Sequence, residues 1–384
     1  MNAFALTQEQ EELAASVRSV AARQLRPLAE AGQPGHVNRE LIKKMGSLGL
    51  LARLFPGVTS SSMVAAAVSR EAAATDLCLL RESLATESTE AETALALQGL
   101  GSYPVLQSGR EEQVRRWLPR VAAGEAIAAF ALSEPGAGSD AAALSLAAER
   151  DGSGWRLTGE KTWISNAPEA DFYSVFARTT PGAGARGVSA FLVPADRPGL
   201  TGSHLDMLSP HPIGTLVFDG VPVHADELLG EVNRGFRVAM RTLDLFRPSV
   251  GAFAAGMAQA ALDAAVAHAG SREAFGGPLR DQQAVSHLLA EMATRVSAAR
   301  LLVYAAAAAY DDSAPGITSK AAMAKLFATE TAQFVVDSAI QIHGARALQR
   351  GHLLEHLYRE VRAPRIYEGT SQIQRTIIAR ELYR

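Results

Sequence analysis

Apolar residues recur at spacings of three and four from Thr7 to about Ala128, as in Leu13, Val17, Val20 and Ala21 and again in Leu41, Met45, Leu48 and Leu51. That period lays one apolar stripe along a helix, so residues 1–128 read as a helical domain. Thr7-Gln8-Glu9-Gln10 fits a capping box at its start, and Gly109-Arg110-Glu111-Glu112-Gln113 opens a further short helix ahead of Trp117-Leu118-Pro119. From Ala129 the texture changes. Short runs of strand formers at 155–158, 161–165, 172–176, 188–193 and 216–218 are separated by Gly, Pro, Asp and Asn, which predicts a compact β-barrel or sandwich over residues 129–232. After Gly235-Phe236 the helical period returns. The stretches 240–268, 282–310, 319–343 and 372–383 are alanine-rich and apolar on more than one face, which predicts a buried four-helix bundle over residues 233–384 that also packs on other subunits. The fold class is therefore α+β, ordered as helices, β domain, helices.

Composition narrows the function classes. Hydrophobic residues make up 48% and charged residues 20%, the profile of a soluble globular enzyme or scaffold. A net charge of −3 offers no basic surface for nucleic acid. The single cysteine rules out an intrachain disulfide and fits a reducing, cytoplasmic setting; in Leu77-Cys78-Leu79-Leu80 it reads as a core position. The N-terminus lacks the basic and apolar regions of a signal peptide, and no apolar run reads as a membrane span, 303–309 being too short.

Four stretches carry candidate chemistry. In Arg365-Ile366-Tyr367-Glu368-Gly369-Thr370-Ser371-Gln372, Glu368 sits between apolar neighbours and a glycine, where desolvation raises a carboxyl pKa and suits a general base. Thr370 and Gln372 open the last helix, whose free N–H groups favour polar or anionic ligand atoms; the plainer reading is a helix cap. Phe130-Ala131-Leu132-Ser133-Glu134-Pro135-Gly136-Ala137-Gly138-Ser139-Asp140 pairs two glycines with Ser133 and Ser139, a backbone that a flat or charged ligand can approach closely, though it is not a dinucleotide fingerprint. In Trp163-Ile164-Ser165-Asn166, strand alternation puts the Trp163 indole and the Ser165 hydroxyl on one face, a pairing that suits a flavin; a core tryptophan is the competing reading. Arg272 through Leu279, with Gln282-Gln283, sets an arginine and a glutamine about a Gly-Gly turn, which can grip a pyrophosphate.

Taken together these residues resemble the FAD-dependent acyl-CoA dehydrogenase family, from the first helix to the last. The run from Ala131 to Asp140 is similar to the family's β-domain signature, and Arg365 to Arg375 to its catalytic turn. The resemblance implies that Glu368 removes the α-proton of an acyl thioester while FAD accepts hydride from the β-carbon, and that the Glu368 N–H bonds the thioester carbonyl. The family's alternative base position falls on Phe246, before Arg247, which leaves Glu368 alone. It further implies FAD contacts from Phe130, Leu132, Ser133, Gly138, Ser139, Trp163, Ile164 and Ser165. Arg272, Phe275, Gln283, Gln341 and Gly344 are implied for the ADP half across a subunit interface, with Thr370 and Gln372. Ser139, Asp244, Arg247, Tyr367 and Gly369 are implied to border the acyl-CoA substrate. A homodimer or homotetramer and an electron-transfer flavoprotein as acceptor complete the expectation.

The chain departs from the family pattern in two places. Gln341-Ile342-His343-Gly344-Ala345-Arg346-Ala347 has alanines where two glycines are usual, and an added Cβ limits close backbone approach. Leu54-Phe55-Pro56-Gly57-Val58-Thr59-Ser60 replaces the usual loop at the substrate mouth. The rival readings are a same-fold flavin oxidase or monooxygenase, a dehydrogenase of carrier-protein thioesters, a non-catalytic helical scaffold, and a zinc hydrolase using His352 and His356 of an H-x-x-E-H match.

Overall fold

The computed structural model describes residues 6–58 and 73–383, so Thr59 and Ser60 of the substituted loop lie outside the described residues. The helices are α1 (Gln8–Val20), α2 (Arg26–Glu30), α3 (Arg39–Ser47), α4 (Ala74–Glu87), α5 (Thr89–Ser108), α6 (Glu111–Ala122), α7 (Gly235–Ser271), α8 (Gln283–Asp311), α9 (Ile317–His343), α10 (Leu353–Glu360) and α11 (Ser371–Glu381). The strands are β1 (Ala128–Ala131), β2 (Ala147–Asp151), β3 (Gly154–Ser165), β4 (Phe172–Arg178), β5 (Val188–Pro194), β6 (Leu200–His204), β7 (Ile213–Val223) and β8 (Leu228–Leu229), with a small hairpin of β9 (Glu273–Ala274) and β10 (Gly277–Pro278). The capping box at Thr7 is present in both directions: Thr7 Oγ1 accepts from Gln10 N and the Gln10 side chain accepts from Thr7 N.

The chain divides into two compact units. One holds the described residues of Pro27–Ala73 and Thr93–Leu243 and contains the eight-stranded sheet, in the order β6-β7-β3-β2-β4-β5-β8 with β1 beside β4. Strands β4 and β5 are buried along nearly their whole length, which is why they read as continuous apolar runs, whereas β7 alternates. The two runs predicted at 155–158 and 161–165 are one strand, β3. Strands β1, β2, β6 and β8 were not expected. β6 is mostly exposed and has no apolar alternation to reveal it, and β1 is three alanines and a phenylalanine, poor in strand formers. Helix α5 lies directly on β1. A Cβ on Gly101 would come within 2.5 Å of Ala129 N, and the Gln98 amide bridges Ala126 O and Ala128 N at 2.9 Å each.

The other unit holds the described residues of Met1–Arg26, Ala74–Glu92 and Asp244–Arg384. Its long helices occupy the four stretches that the helical period predicts, each with ends a few residues different, and α10 is added to them. Glu82 on α4 accepts from Arg300 Nε at 2.6 Å and from Tyr304 Oη at 2.8 Å on α8, a bridge buried on the α4 side. Cys78 is fully buried, and burial raises its thiol pKa. Helix α7 corrects the expectation about membrane spans. It is long and apolar enough to cross a membrane by length and composition, but 72% of its most apolar stretch is buried within the protein, so packing accounts for its hydropathy.

Candidate active site

The turn at Tyr367–Gly369 is built to hold one backbone conformation. Glu368 has φ of 52° and Gly369 of 91°, both left-handed. Its two carbonyls are held by side chains from three helices. Glu368 O accepts from Arg247 Nε of α7 at 3.3 Å and from Gln374 Nε2 of α11 at 3.1 Å. Gly369 O accepts from Lys325 Nζ of α9 at 2.7 Å and from the same Gln374 amide at 2.9 Å. Glu330 of α9 spans the turn, accepting from Ser371 Oγ at 2.6 Å through one oxygen and pairing with Arg365 at 2.9 Å through the other. Thr370 caps α11, its hydroxyl accepting from Ile373 N at 3.2 Å. The glycine at 369 is required on two counts: its φ, and a Cβ there would lie 2.7 Å from Gln374 Nε2.

With both carbonyls engaged, the turn leaves the Glu368 N–H without an acceptor among the described residues. The Glu368 Oε2 atom is buried and likewise unpartnered. Burial raises the pKa of this carboxyl above its ordinary value, and the cations of Arg81, Lys325 and Arg247 oppose the rise without cancelling it. Each cation is itself braced. Arg81 is buried against Glu92 and donates from Nη1 to Ser249 Oγ at 2.7 Å. Arg247 reaches Asp244 at 3.3 Å, and burial raises the Asp244 carboxyl even beside it. Lys325 has no exposed surface, and burial lowers its ammonium to about 8. Among these, Arg81, Glu92, Lys325, Glu330 and Gln374 were not singled out from the sequence. Of the expected substrate neighbours, Asp244, Arg247, Tyr367 and Gly369 come together here, and Gln372 is exposed at the start of α11.

In the sheet-containing unit the two β motifs are joined. Thr162 N donates to Ser133 O at 3.0 Å, and Lys161 Nζ, with no exposed surface, donates to Leu132 O at 2.9 Å and to Glu134 Oε1 at 2.8 Å. Glu134 also accepts from Ser145 N and Leu146 N; burial alone would raise its pKa, but Lys161 and these N–H groups hold it below its ordinary value. Between Lys161 and Ile164 the pairing with β7 slips by one residue, a bulge. Lys161 and Thr162 both turn inward as a result, and Trp163, at φ 55°, turns out with its side chain 49% exposed. That overturns the core-tryptophan reading; Trp155 and Trp117 are the buried ones. Ser165 and Ser133 are half-buried, Gly138 and Ser139 exposed, Phe130 half-buried against Phe176, while Leu132 and Ile164 are buried and offer a ligand mainly backbone.

The β9–β10 hairpin lifts Phe275 almost wholly into solvent, at φ 55° on a two-residue turn with Gly276. Arg272, Gln283, Gln341 and Gly344 are also exposed, and so is Ala345, whereas Ala347 is buried. The H-x-x-E-H reading needed both histidines on one helical face. His352 is instead the N-cap of α10, with extended backbone and Nδ1 accepting from Leu354 N at 3.1 Å. His356 Nε2 bonds the Thr89 hydroxyl at 2.6 Å, and Glu355 pairs with Arg359 at 2.8 Å.

Comparisons with known proteins agree along the whole chain. The acyl-CoA dehydrogenase N-terminal, middle and C-terminal domains match residues 7–125, 129–221 and 233–383. The short-chain specific acyl-CoA dehydrogenase of Bos taurus mitochondria is 40% identical over 98% of this chain and 90% of its own. The butyryl-CoA dehydrogenase structure from Megasphaera elsdenii superposes with a TM-score of 0.90 at 32% identity, covering 99% of this chain and 100% of the other. The FAD complex of PigA superposes at 0.91 with 28% identity, covering 99% of each. These matches make the chain an oxidoreductase. The chain belongs to the acyl-CoA dehydrogenase family.

Proposed function

We propose that this chain is an FAD-dependent dehydrogenase that desaturates an acyl-CoA thioester between its α- and β-carbons, with Glu368 as the base. The observation that carries the reading is the buried, unpartnered Glu368 oxygen on a turn whose carbonyls are tied by Arg247, Lys325 and Gln374. A carboxylate with a raised pKa is a stronger base, and a thioester α-C–H is a weak acid that needs one. Phe246, at the alternative base position, has no group that can accept a proton. The unengaged Glu368 N–H is suited to receive the thioester carbonyl oxygen and stabilise the charge that develops there as the proton leaves.

The residues of the bulged strand fit a flavin. An exposed indole at Trp163 and a half-buried hydroxyl at Ser165 share one face of β3, and Ser133 is tied to the same strand. FAD, when bound, supplies the acceptor for the β-hydride. We assign its ring contacts to Leu132, Ser133, Trp163 and Ser165, with Phe130, Gly138, Ser139 and the Ile164 backbone around them. Its ADP half falls to Arg272, Phe275, Gln283, Gln341, Gly344, Thr370 and Gln372. The exposure of Phe275 and Arg272 supports a role for them in a dimer or tetramer, where a second subunit would cover them. We assign reoxidation of the cofactor to an electron-transfer flavoprotein, the acceptor that membership of the family implies.

The test is anaerobic absorption spectroscopy of the purified protein with saturated acyl-CoA thioesters. Bleaching of a flavin band is expected for the wild type and its loss for Glu368→Gln, with flavin retained. A Glu368→Gln enzyme that still bleaches at the wild-type rate refutes the assignment of the base.

A further inference from the structure

Three side chains outside the sets described above converge from well-separated segments of the sheet-containing unit. His36 lies in the loop before α3, Glu169 in the turn between β3 and β4, and His204 ends β6. His36 Nδ1 is 2.5 Å from Glu169 Oε1, and His204 Nε2 is 3.2 Å from the same oxygen. One ligand atom from each residue lies within 4.8 Å of the other two, and the imidazole centroids are 4.3 Å apart. The two histidines and the glutamate are partly accessible, so an ion has a path in.

Two imidazoles turn a ring nitrogen to the same Glu169 oxygen, and each in its neutral form can donate an N–H to it. A divalent ion replaces both ring protons at a single point, bonded to the lone pairs of His36 Nδ1 and His204 Nε2 and to Glu169 Oε1. Two imidazoles and a carboxylate are a donor set that zinc accepts with water in the fourth place. Tetrahedral bonds of about 2.0–2.1 Å separate ligand atoms by roughly 3.3 Å; the His204–Glu169 contact of 3.2 Å already has that spacing, and the His36–Glu169 contact of 2.5 Å opens as the ion enters between them. Nitrogen donors argue against magnesium or calcium, which take oxygen.

The surroundings hold the ligands in place. The second Glu169 oxygen accepts from Val37 N at 2.8 Å, which fixes the carboxylate plane, and Glu169 N donates to Asn166 O at 2.9 Å. Arg39 donates to Glu169 O at 2.8 Å, but its charge is met by Asp171 at 3.0 Å. His204 is fixed by its pairing with Gly214 in the sheet. We propose that His36, Glu169 and His204 form a zinc-binding site that ties the loop before α3 to the β3–β4 turn and to β6.

The test uses tag-free, flavin-loaded enzyme stripped with a chelator and titrated with zinc chloride by calorimetry. One zinc per chain is expected, with a rise in thermal midpoint that the chelator reverses. Glu169→Gln, which is nearly isosteric, and the double variant His36→Ala/His204→Ala should each weaken zinc binding by more than tenfold, with flavin content and dehydrogenase activity unchanged. Absence of zinc binding by the wild type, or a loss of less than tenfold in either variant, overturns the proposal.

Discussion

Lys325 Nζ donates to the Gly369 carbonyl oxygen at 2.7 Å from a position with no exposed surface. An ammonium buried this way does two things at once: it fixes the turn that carries Glu368, and it places a positive charge near the carboxylate. Lys325→Met keeps the volume and removes both. The reduction rate should fall about 10- to 100-fold through loss of the aligned turn. The acid limb of the pH–rate profile should also move to higher pH, because a cation that opposes the raised Glu368 pKa is gone. Stopped-flow reduction across pH reads both effects. A slower enzyme with an unmoved acid limb would leave Lys325 only its structural part.

Glu368 also links stability to pH. Its pKa in the folded protein is raised by burial, so the folded state binds this proton more tightly than the unfolded chain does. Stability from this group is therefore present below the ordinary value of 4.5 and declines as the pH rises through the folded value. Glu368→Gln removes the cost of the buried charge. Its thermal midpoint should exceed that of the wild type at neutral pH, and the two should converge towards pH 4.5. Equal midpoints at neutral pH would mean that the neighbouring cations fully offset the burial of the carboxylate.

Gly369→Ala tests the turn from the backbone side. At φ 91° an alanine is strained by about 1–3 kcal/mol, and its Cβ would meet Gln374 Nε2 at 2.7 Å and Ile373 Cγ2 at 3.2 Å. Gln374 must then give up its bonds to Glu368 O and Gly369 O. The expected protein folds and binds flavin but is bleached more slowly by substrate. A wild-type rate would show that the amide clamp is dispensable.

The helices were legible because their apolar period is long and regular; Glu368 stood out through the resemblance of its turn to the family's, since the local pattern by itself reads as readily as a helix cap. The residues that make Glu368 useful were not legible. Lys325 sits in Ala322-Met323-Ala324-Lys325-Leu326-Phe327-Ala328, and a lone lysine on a helix reads as solvated until packing buries it. Arg81 and Glu92 are eleven residues apart on neighbouring helices, a pairing that no local spacing announces. Trp163 failed as a core candidate for a different reason. Strand alternation counts residues in steps of two, and the bulge between Lys161 and Ile164 adds one, which reverses the face that follows. β6 escaped because an exposed edge strand needs no apolar alternation.

The Glu134–Lys161 pair makes the last prediction, because its two members are unequally supported. Glu134 accepts from Ser145 N, Ser145 Oγ and Leu146 N as well as from Lys161. Among the described residues Lys161 has only Leu132 O besides the carboxylate. Glu134→Ala thus strands a buried ammonium and two N–H groups, at a cost of about 3–5 kcal/mol. Lys161→Met leaves the carboxylate three of its donors and should cost less. The pair matters for the flavin as well, since Lys161 and Thr162 tie the Leu132-Ser133 stretch to the strand that carries Trp163. Chemical denaturation should rank wild type above Lys161→Met above Glu134→Ala in stability, while bound flavin, measured alongside, should fall in Lys161→Met, which cuts the bond to Leu132 O. If Lys161→Met proves the weaker protein, the lysine rather than the carboxylate is what holds this corner together.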